Sequence, residues 1–127
     1  DAALVVSTYT ENFSYRGPIQ DPNDHLLTYA STYIGGYINH GLDFREKELT
    51  RMVKDFSLDG FVMHSNRSCR AYSFGQYELA RRMEEKHGVP TLMLEADMND
   101  SRTWSDEQMN TRIAAFMETL TGRCAVM

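Results

Sequence analysis

A chain of 127 residues is the size of one compact domain, and 42% hydrophobic against 24% charged residues is an ordinary globular balance. That balance excludes a collagen-like, disordered or disulfide-framework protein, and no apolar run reaches the ~18 residues that a membrane-spanning helix needs. With 13 Lys and Arg against 18 Asp and Glu the net charge is -5, which argues against nucleic acid as a partner.

Ala3 to Tyr9 is a short apolar and β-branched run with the composition of a buried strand. It follows directly on Asp1, and this abrupt start suggests a piece of a longer subunit. Thr10 to Asn23 is polar, with Gly17-Pro18 and Asp21-Pro22 as turn signals. Asp24 is placed to cap a helix from about His25 to Asn39, with Leu26, Leu27, Ala30, Tyr33 and Ile34 on one face and Gly35-Gly36 weakening its end. Beyond Gly41, the positions Leu49, Met52, Val53 and Phe56 predict an amphipathic helix that ends near Leu58-Asp59-Gly60.

Phe61 to His64 is a second strand, followed by a polar turn from Ser65 to Tyr72. Ser73-x-x-Gln76 has the capping-box pattern and opens a third helix, with Tyr77, Ala80 and Met83 inward, Gly88 as its stop and Pro90 beyond. Thr91 to Leu94 is a third strand, ending in Glu95-Ala96-Asp97. A last helix opens at Ser105-x-x-Gln108, carries Met109, Ile113, Phe116, Met117 and Leu120 on its apolar stripe, and stops at Gly122. The methionines at 52, 83, 109 and 117 fall on inward faces and are assigned to the core.

This order predicts an α/β fold: a Rossmann-like or flavodoxin-like parallel sheet with helices on both faces, in one domain over residues 1–127. Three strands make a thin sheet, so the domain reads as a partial one.

In open α/β sheets ligands gather beyond the carboxyl ends of the strands. The segment after the second strand is the most unusual, because it sets Cys69 between a strand end and a helix start with Arg67 and Arg70 on either side. A helix N-terminus and two guanidinium groups favour a thiolate, which is the nucleophilic and metal-binding form. A packed structural thiol remains open as well. One cysteine cannot hold a metal site alone, and the sequence has no CxxC, HExxH, Walker loop or GxGxxG. A nucleophile would want a base, for which His64 is the candidate, and a structural strand-end histidine is the plain alternative.

Glu95 and Asp97 form a carboxylate pair that reads most simply as solvated loop acids, as does Glu11-Asn12. Arg67 and Arg70 suit either surface pairing or an anion such as a coenzyme phosphate. Tyr29, Tyr33 and Tyr37 fall in one helical row, suited to packing or an interface. Cys124 is taken as incidental. The two lone cysteines suit a reducing, cytoplasmic compartment.

The string His64-Ser65-Asn66-Arg67-Ser68-Cys69-Arg70-Ala71-Tyr72-Ser73-Phe74-Gly75-Gln76-Tyr77 resembles the C-terminal domain of the 2-hydroxyacyl-CoA dehydratase/benzoyl-CoA reductase family. So do Gly88-Val89-Pro90-Thr91-Leu92-Met93-Leu94-Glu95-Ala96-Asp97-Met98-Asn99-Asp100 and Thr111-Arg112-Ile113-x-Ala115-Phe116. The resemblance is strongest from Asp59 to Leu120 and looser toward Tyr9-Thr10-Glu11-Asn12-Phe13.

The resemblance implies an active-site subunit of an oxygen-sensitive enzyme of anaerobic metabolism. In that family three cysteines hold a 4Fe-4S cluster, and Cys69 matches the third of them; the other two have no counterpart here. It further implies an acyl-CoA substrate, a second homologous subunit and an ATP-hydrolysing activator protein, with no membrane and no nucleic acid. His64, Ser65, Asn66 and Ser68 are then expected around the cluster, orienting the thiolate.

Ser68 before the cysteine and Arg70 after it resemble benzoyl-CoA reductase-like subunits more than dehydratases, although Ala71 stands where those tend to have Pro. A dehydratase subunit is the alternative within the family. A non-catalytic α/β interaction module with a structural Cys69 is the alternative outside it.

Overall fold

A computed structural model describes residues 2–11 and 23–124 of the chain. It has the predicted α/β character, with two parallel strands, β1 (Phe61–Asn66) and β2 (Thr91–Ala96), paired in register from Phe61 opposite Thr91 to Asn66 opposite Ala96. The crossover between them runs through a one-turn helix, α4 (Arg70–Ser73), and a longer one, α5 (Gln76–His87). Preceding them are α1 (Thr8–Glu11), α2 (His25–Ile34) and α3 (Leu42–Phe56), and α6 (Asp106–Cys124) follows. Short 3-10 turns occupy Tyr37–Asn39 and Ser101–Thr103.

Strand alternation separates the two faces of the sheet. Met63 and Met93 join Leu49 and Met52 of α3 and Leu79, Ala80 and Met83 of α5 in the main core. Leu92 and Ala96, on the alternate positions of β2, are buried where α6 packs, as is Met109 of α6. Met83 is fully buried, and the main core is filled in part by four flexible thioethers, those of Met52, Met63, Met83 and Met93.

The α3–α5 contact is sealed by charge. Glu46 accepts from Arg82 (3.1 Å), Lys86 (3.0 Å) and His87 (3.1 Å), and Arg82 reaches on to Asp43 (2.8 Å) and Glu78 (2.8 Å). The His87 and Lys86 hydrogen bonds bring the Glu46 carboxyl down to about 2.

Several expectations are corrected. Ala3 to Tyr9 is not a strand: residues 2–7 take no part in the sheet and Thr8–Glu11 is helical. An apolar run becomes a strand only with a ladder neighbour; here Leu4 is 93% exposed and only Val6 packs on the core. The helix from His25 ends at Ile34 rather than Asn39, at the Gly35-Gly36 step; Asp24 does cap it, accepting from the Leu27 N–H at 2.9 Å. On its apolar face Leu26 is 83% exposed among the described residues.

Ser73 and Gln76 form no capping box. Gly75 turns the chain at φ +82° and caps α5, which frees both side chains for the β1 edge. Tyr77 points outward, while Leu79, absent from the expected stripe, is in the core. Gly88 ends α5 as expected, at φ +67°, but α6 continues through Gly122 to Cys124. The polar segment of residues 12–22, including Gly17-Pro18, Asp21-Pro22 and Asn12, lies outside the described residues, as do the side chains of Glu11 and Cys124.

Candidate functional site

The carboxyl end of the two-stranded sheet carries the segment singled out from sequence. β1 is longer than expected and runs to Asn66, so Ser65 and Asn66 are strand residues and the turn is only Arg67 to Cys69. Ser65 and Asn66 are buried, His64 is exposed, and Cys69 is a half-buried free thiol.

Hydrogen-bond geometry explains how this turn is held. Phe61 donates to Pro90 beside β2 at 2.9 Å, so the alternate residues Val62, His64 and Asn66 direct their peptide groups to the other edge of β1. There the His64 carbonyl accepts from the Gln76 side-chain amide at 3.0 Å. The Asn66 carbonyl accepts from the Cys69 N–H at 2.9 Å and from the Ser73 hydroxyl. The Cys69 carbonyl in turn accepts from the Ser73 N–H at 3.0 Å, opening α4.

A second set of contacts comes from the end of β2. Glu95 accepts from the Arg67 guanidinium at 2.8 Å and from the Tyr77 hydroxyl. Asp97 accepts from the Ser68 hydroxyl, and from the Asn99 N–H at 2.9 Å. The Tyr77 hydroxyl and Arg67 hold the Glu95 carboxyl below its usual range, and the Ser68 hydroxyl and Asn99 N–H do the same for Asp97. The two acids are therefore partnered side chains rather than loosely solvated ones.

A third support was not visible in the sequence. Arg45 is buried on α3 and donates to the carbonyls of Ile38 (2.9 Å), His40 (3.0 Å) and Ala71 (3.0 Å), with its guanidinium 5.4 Å from the Tyr37 ring centre. It lies within the charged string Arg45-Glu46-Lys47-Glu48, which looks like a solvated helix face. Burial of Tyr37 pushes its hydroxyl up to about 12. Tyr72 stacks on Tyr9 at 4.5 Å between ring centres and donates to the Thr8 carbonyl at 3.3 Å, and burial raises it to about 12 as well.

The electrostatic setting is milder than the sequence suggests. Cys69 precedes a helix of one turn, which carries little macrodipole, and Arg67 is paired with Glu95. Arg70 is exposed. No hydrogen bond joins His64 to Cys69 among the described residues, so the thiol–imidazole pair is not assembled. Asn66 and Gln76 each keep a buried side-chain oxygen without a partner beside this turn.

Among the described residues no group of three or more His, Cys, Asp or Glu side chains is arranged to hold a metal ion. The donor set therefore fits one thiolate ligand and not a complete site. Tyr29 and Tyr33 are exposed on α2, while Tyr37 turns inward over Arg45. No helix among the described residues is long and apolar enough to cross a membrane.

Comparison with known proteins agrees with the resemblance. The family described as 2-hydroxyglutaryl-CoA dehydratase, D-component, matches residues 1–120. A benzoyl-CoA reductase subunit of Thauera aromatica is 31% identical over 92% of this chain and 28% of its own length. The (R)-phenyllactyl-CoA dehydratase alpha subunit of Clostridium sporogenes is 38% identical over 94% of the chain and 28% of its own. The lactoyl-CoA dehydratase alpha subunit of Anaerotignum propionicum is 34% identical over 83% and 25%.

The chain spans about a quarter of the length of these curated relatives. Reductase and dehydratase subunits match it at similar identity, so the comparison does not favour one branch. With the match running over residues 1–120, the chain belongs to the 2-hydroxyglutaryl-CoA dehydratase D-component family, that of benzoyl-CoA reductase and 2-hydroxyacyl-CoA dehydratase subunits.

Proposed function

We propose that this chain is the Rossmann-like, cluster-ligating part of an active-site subunit acting on an acyl-CoA thioester, with Cys69 as one of three cysteine ligands to a 4Fe-4S cluster. The observation that carries the reading is the placement of Cys69: a half-buried, unbridged thiol on the turn at the carboxyl end of the parallel strands. When bound, such a cluster supplies single electrons at low potential.

The chain's own residues would hold and orient that ligand. Asn66 fixes the Cys69 peptide, and Ser68, the residue before the thiol, donates from its own hydroxyl to Asp97. Ser65 is buried on β1, four residues before the thiol. His64 is exposed beside it, open to a substrate or to other parts of the protein. Pairing of Arg67 with Glu95 leaves little uncompensated positive charge from that residue, which suits a low-potential centre better than two free guanidinium groups would.

Ser68 and Arg70 support the benzoyl-CoA reductase-like branch, and the dehydratase relatives support the other equally. A further subunit is supported by the relatives, which are themselves named as subunits. An ATP-hydrolysing activator and a cytoplasmic location belong to the same reading. The face of α2 on which Tyr29 and Tyr33 are exposed supports a second reading as an interaction module.

The test is Cys69→Ala in the anaerobically purified holoprotein. Iron and acid-labile sulfide should fall below four per subunit, with a changed electron paramagnetic resonance signal. Unchanged iron and an unchanged signal would remove Cys69 from the ligand set and leave the module reading. Aromatic acyl-CoA turnover that consumes reductant stoichiometrically would assign the reductase branch. Turnover of a 2-hydroxyacyl-CoA with catalytic reductant would assign the dehydratase branch.

A further inference from the structure

We infer that Glu95 and Asp97 are positioning residues for Cys69: from the end of β2 they grip Arg67 and Ser68, the two residues before the thiol, and so set where it is presented. This rests on the reading of Cys69 as a ligand, and it gives a role to two acids for which neither burial nor chain order suggests one.

The geometry divides the work. From Cys69 onward the main chain is held by its own peptide groups, with the Cys69 N–H on the Asn66 carbonyl at 2.9 Å and the Ser73 N–H on the Cys69 carbonyl at 3.0 Å. Arg67 and Ser68 are exposed, lie beyond the last ladder position, and are tied by their side chains. Both ties end at the carboxyl end of β2, on Glu95 within the strand and on Asp97 just beyond it. Arg67 meets Glu95 at 2.8 Å, and the Ser68 hydroxyl meets Asp97.

The acids are themselves anchored, so they can act as fixed posts. Glu95 also accepts from Tyr77 on α5. Asp97 accepts from the Asn99 N–H at 2.9 Å, and its own N–H donates to the Thr103 hydroxyl at 3.0 Å. That hydroxyl donates on to the Asp100 carbonyl at 2.8 Å. Hydrogen bonds to a carboxylate are stronger than neutral ones, and a ligand held by such outer contacts keeps its direction.

The experiment reads the thiol without any metal. In the iron-free protein with Cys124→Ala, peptide mapping follows Cys69 apart from any thiol elsewhere in the subunit. The Cys69 alkylation rate by iodoacetamide is measured at one pH. Asp97→Ala, Ser68→Ala and Glu95→Ala should each raise the rate by about three- to ten-fold, since each loses a charge-assisted tie to the turn. The Asp97→Ala/Ser68→Ala double variant should do no more than Asp97→Ala alone, because both remove the Ser68–Asp97 contact. Asp97→Asn keeps one acceptor oxygen for the two donors, Ser68 and the Asn99 N–H, that Asp97 meets with separate oxygens, so its rate should fall between the parent and Asp97→Ala.

Circular dichroism confirms folding, and if Asp97→Ala does not fold, Ser68→Ala reads the same bond from the other side. An unchanged rate in both Asp97→Ala and Ser68→Ala would overturn the role of Asp97, and an unchanged rate in Glu95→Ala would overturn that of Glu95. The outcome is separable from the ligand assignment. Loss of iron in Cys69→Ala with no change in these rates would overturn only the positioning role, and the reverse pattern would overturn only the ligand role.

Discussion

The Arg45 guanidinium donates to the Ala71 carbonyl at 3.0 Å, joining α3 to α4 two residues beyond Cys69. The same side chain serves Ile38 and His40, so one buried cation satisfies three carbonyls from two separate stretches of chain. A neutral residue of similar length leaves those carbonyls without their donor. Arg45→Met should therefore cost about 3 kcal/mol in urea denaturation. Arg45→Lys should recover only part, because a single ammonium does not reproduce the planar fork. A loss below about 1 kcal/mol for Arg45→Met would show that the contact is dispensable.

The Glu46 cluster predicts an acid limb. Its carboxyl stands at about 2 in the folded chain against an ordinary value of 4.5, held down first by His87 and then by Lys86. A depressed carboxyl stabilises the fold fully above its unfolded value and loses that stabilisation as pH falls through the folded one. Chemical-denaturation midpoints should decline between pH 4.5 and about 2, and Glu46→Gln should flatten that decline. Glu78, also at about 2 through Arg81 and Arg82, contributes over the same range. An identical acid limb in Glu46→Gln would contradict the assignment.

Two glycines with left-handed backbone separate conformational cost from steric cost. At Gly88 (φ +67°) an added Cβ meets nothing within 4 Å, so Gly88→Ala should cost about 1 kcal/mol, from the backbone alone. At Gly75 (φ +82°) the same atom would lie 2.7 Å from a Leu42 methyl, so Gly75→Ala should cost clearly more and disturb the start of α5. Thermal melting of the two variants compares them directly. Equal shifts would mean that Leu42 yields without cost.

Periodicity and strand–turn chemistry make the core and the location of the site readable from sequence. Leu49, Met52, Ala80 and Met83 follow the helical period and are buried, and the Cys69 turn falls at a strand end as expected. The remainder is decided by tertiary partners. Among the described residues Ala3 to Tyr9 has strand composition but no ladder neighbour, and the α2 stripe has helical period while its Leu26, Tyr29 and Tyr33 stay exposed. Arg45 sits in a charged string, so nothing local marks it as buried. Glu95 and Asp97 read in isolation as a solvated pair, whereas their meaning comes from Arg67 and Ser68, 28 and 29 residues earlier. Ser73 and Gln76 fit a local cap pattern, and the left-handed Gly75 between them diverts both to β1.

Alkylation mapping tests the central claim most directly. In the anaerobic holoprotein Cys69 should resist iodoacetamide, and it should become reactive once iron is removed with a chelator. Equal modification of Cys69 before and after iron removal would contradict its role as a cluster ligand.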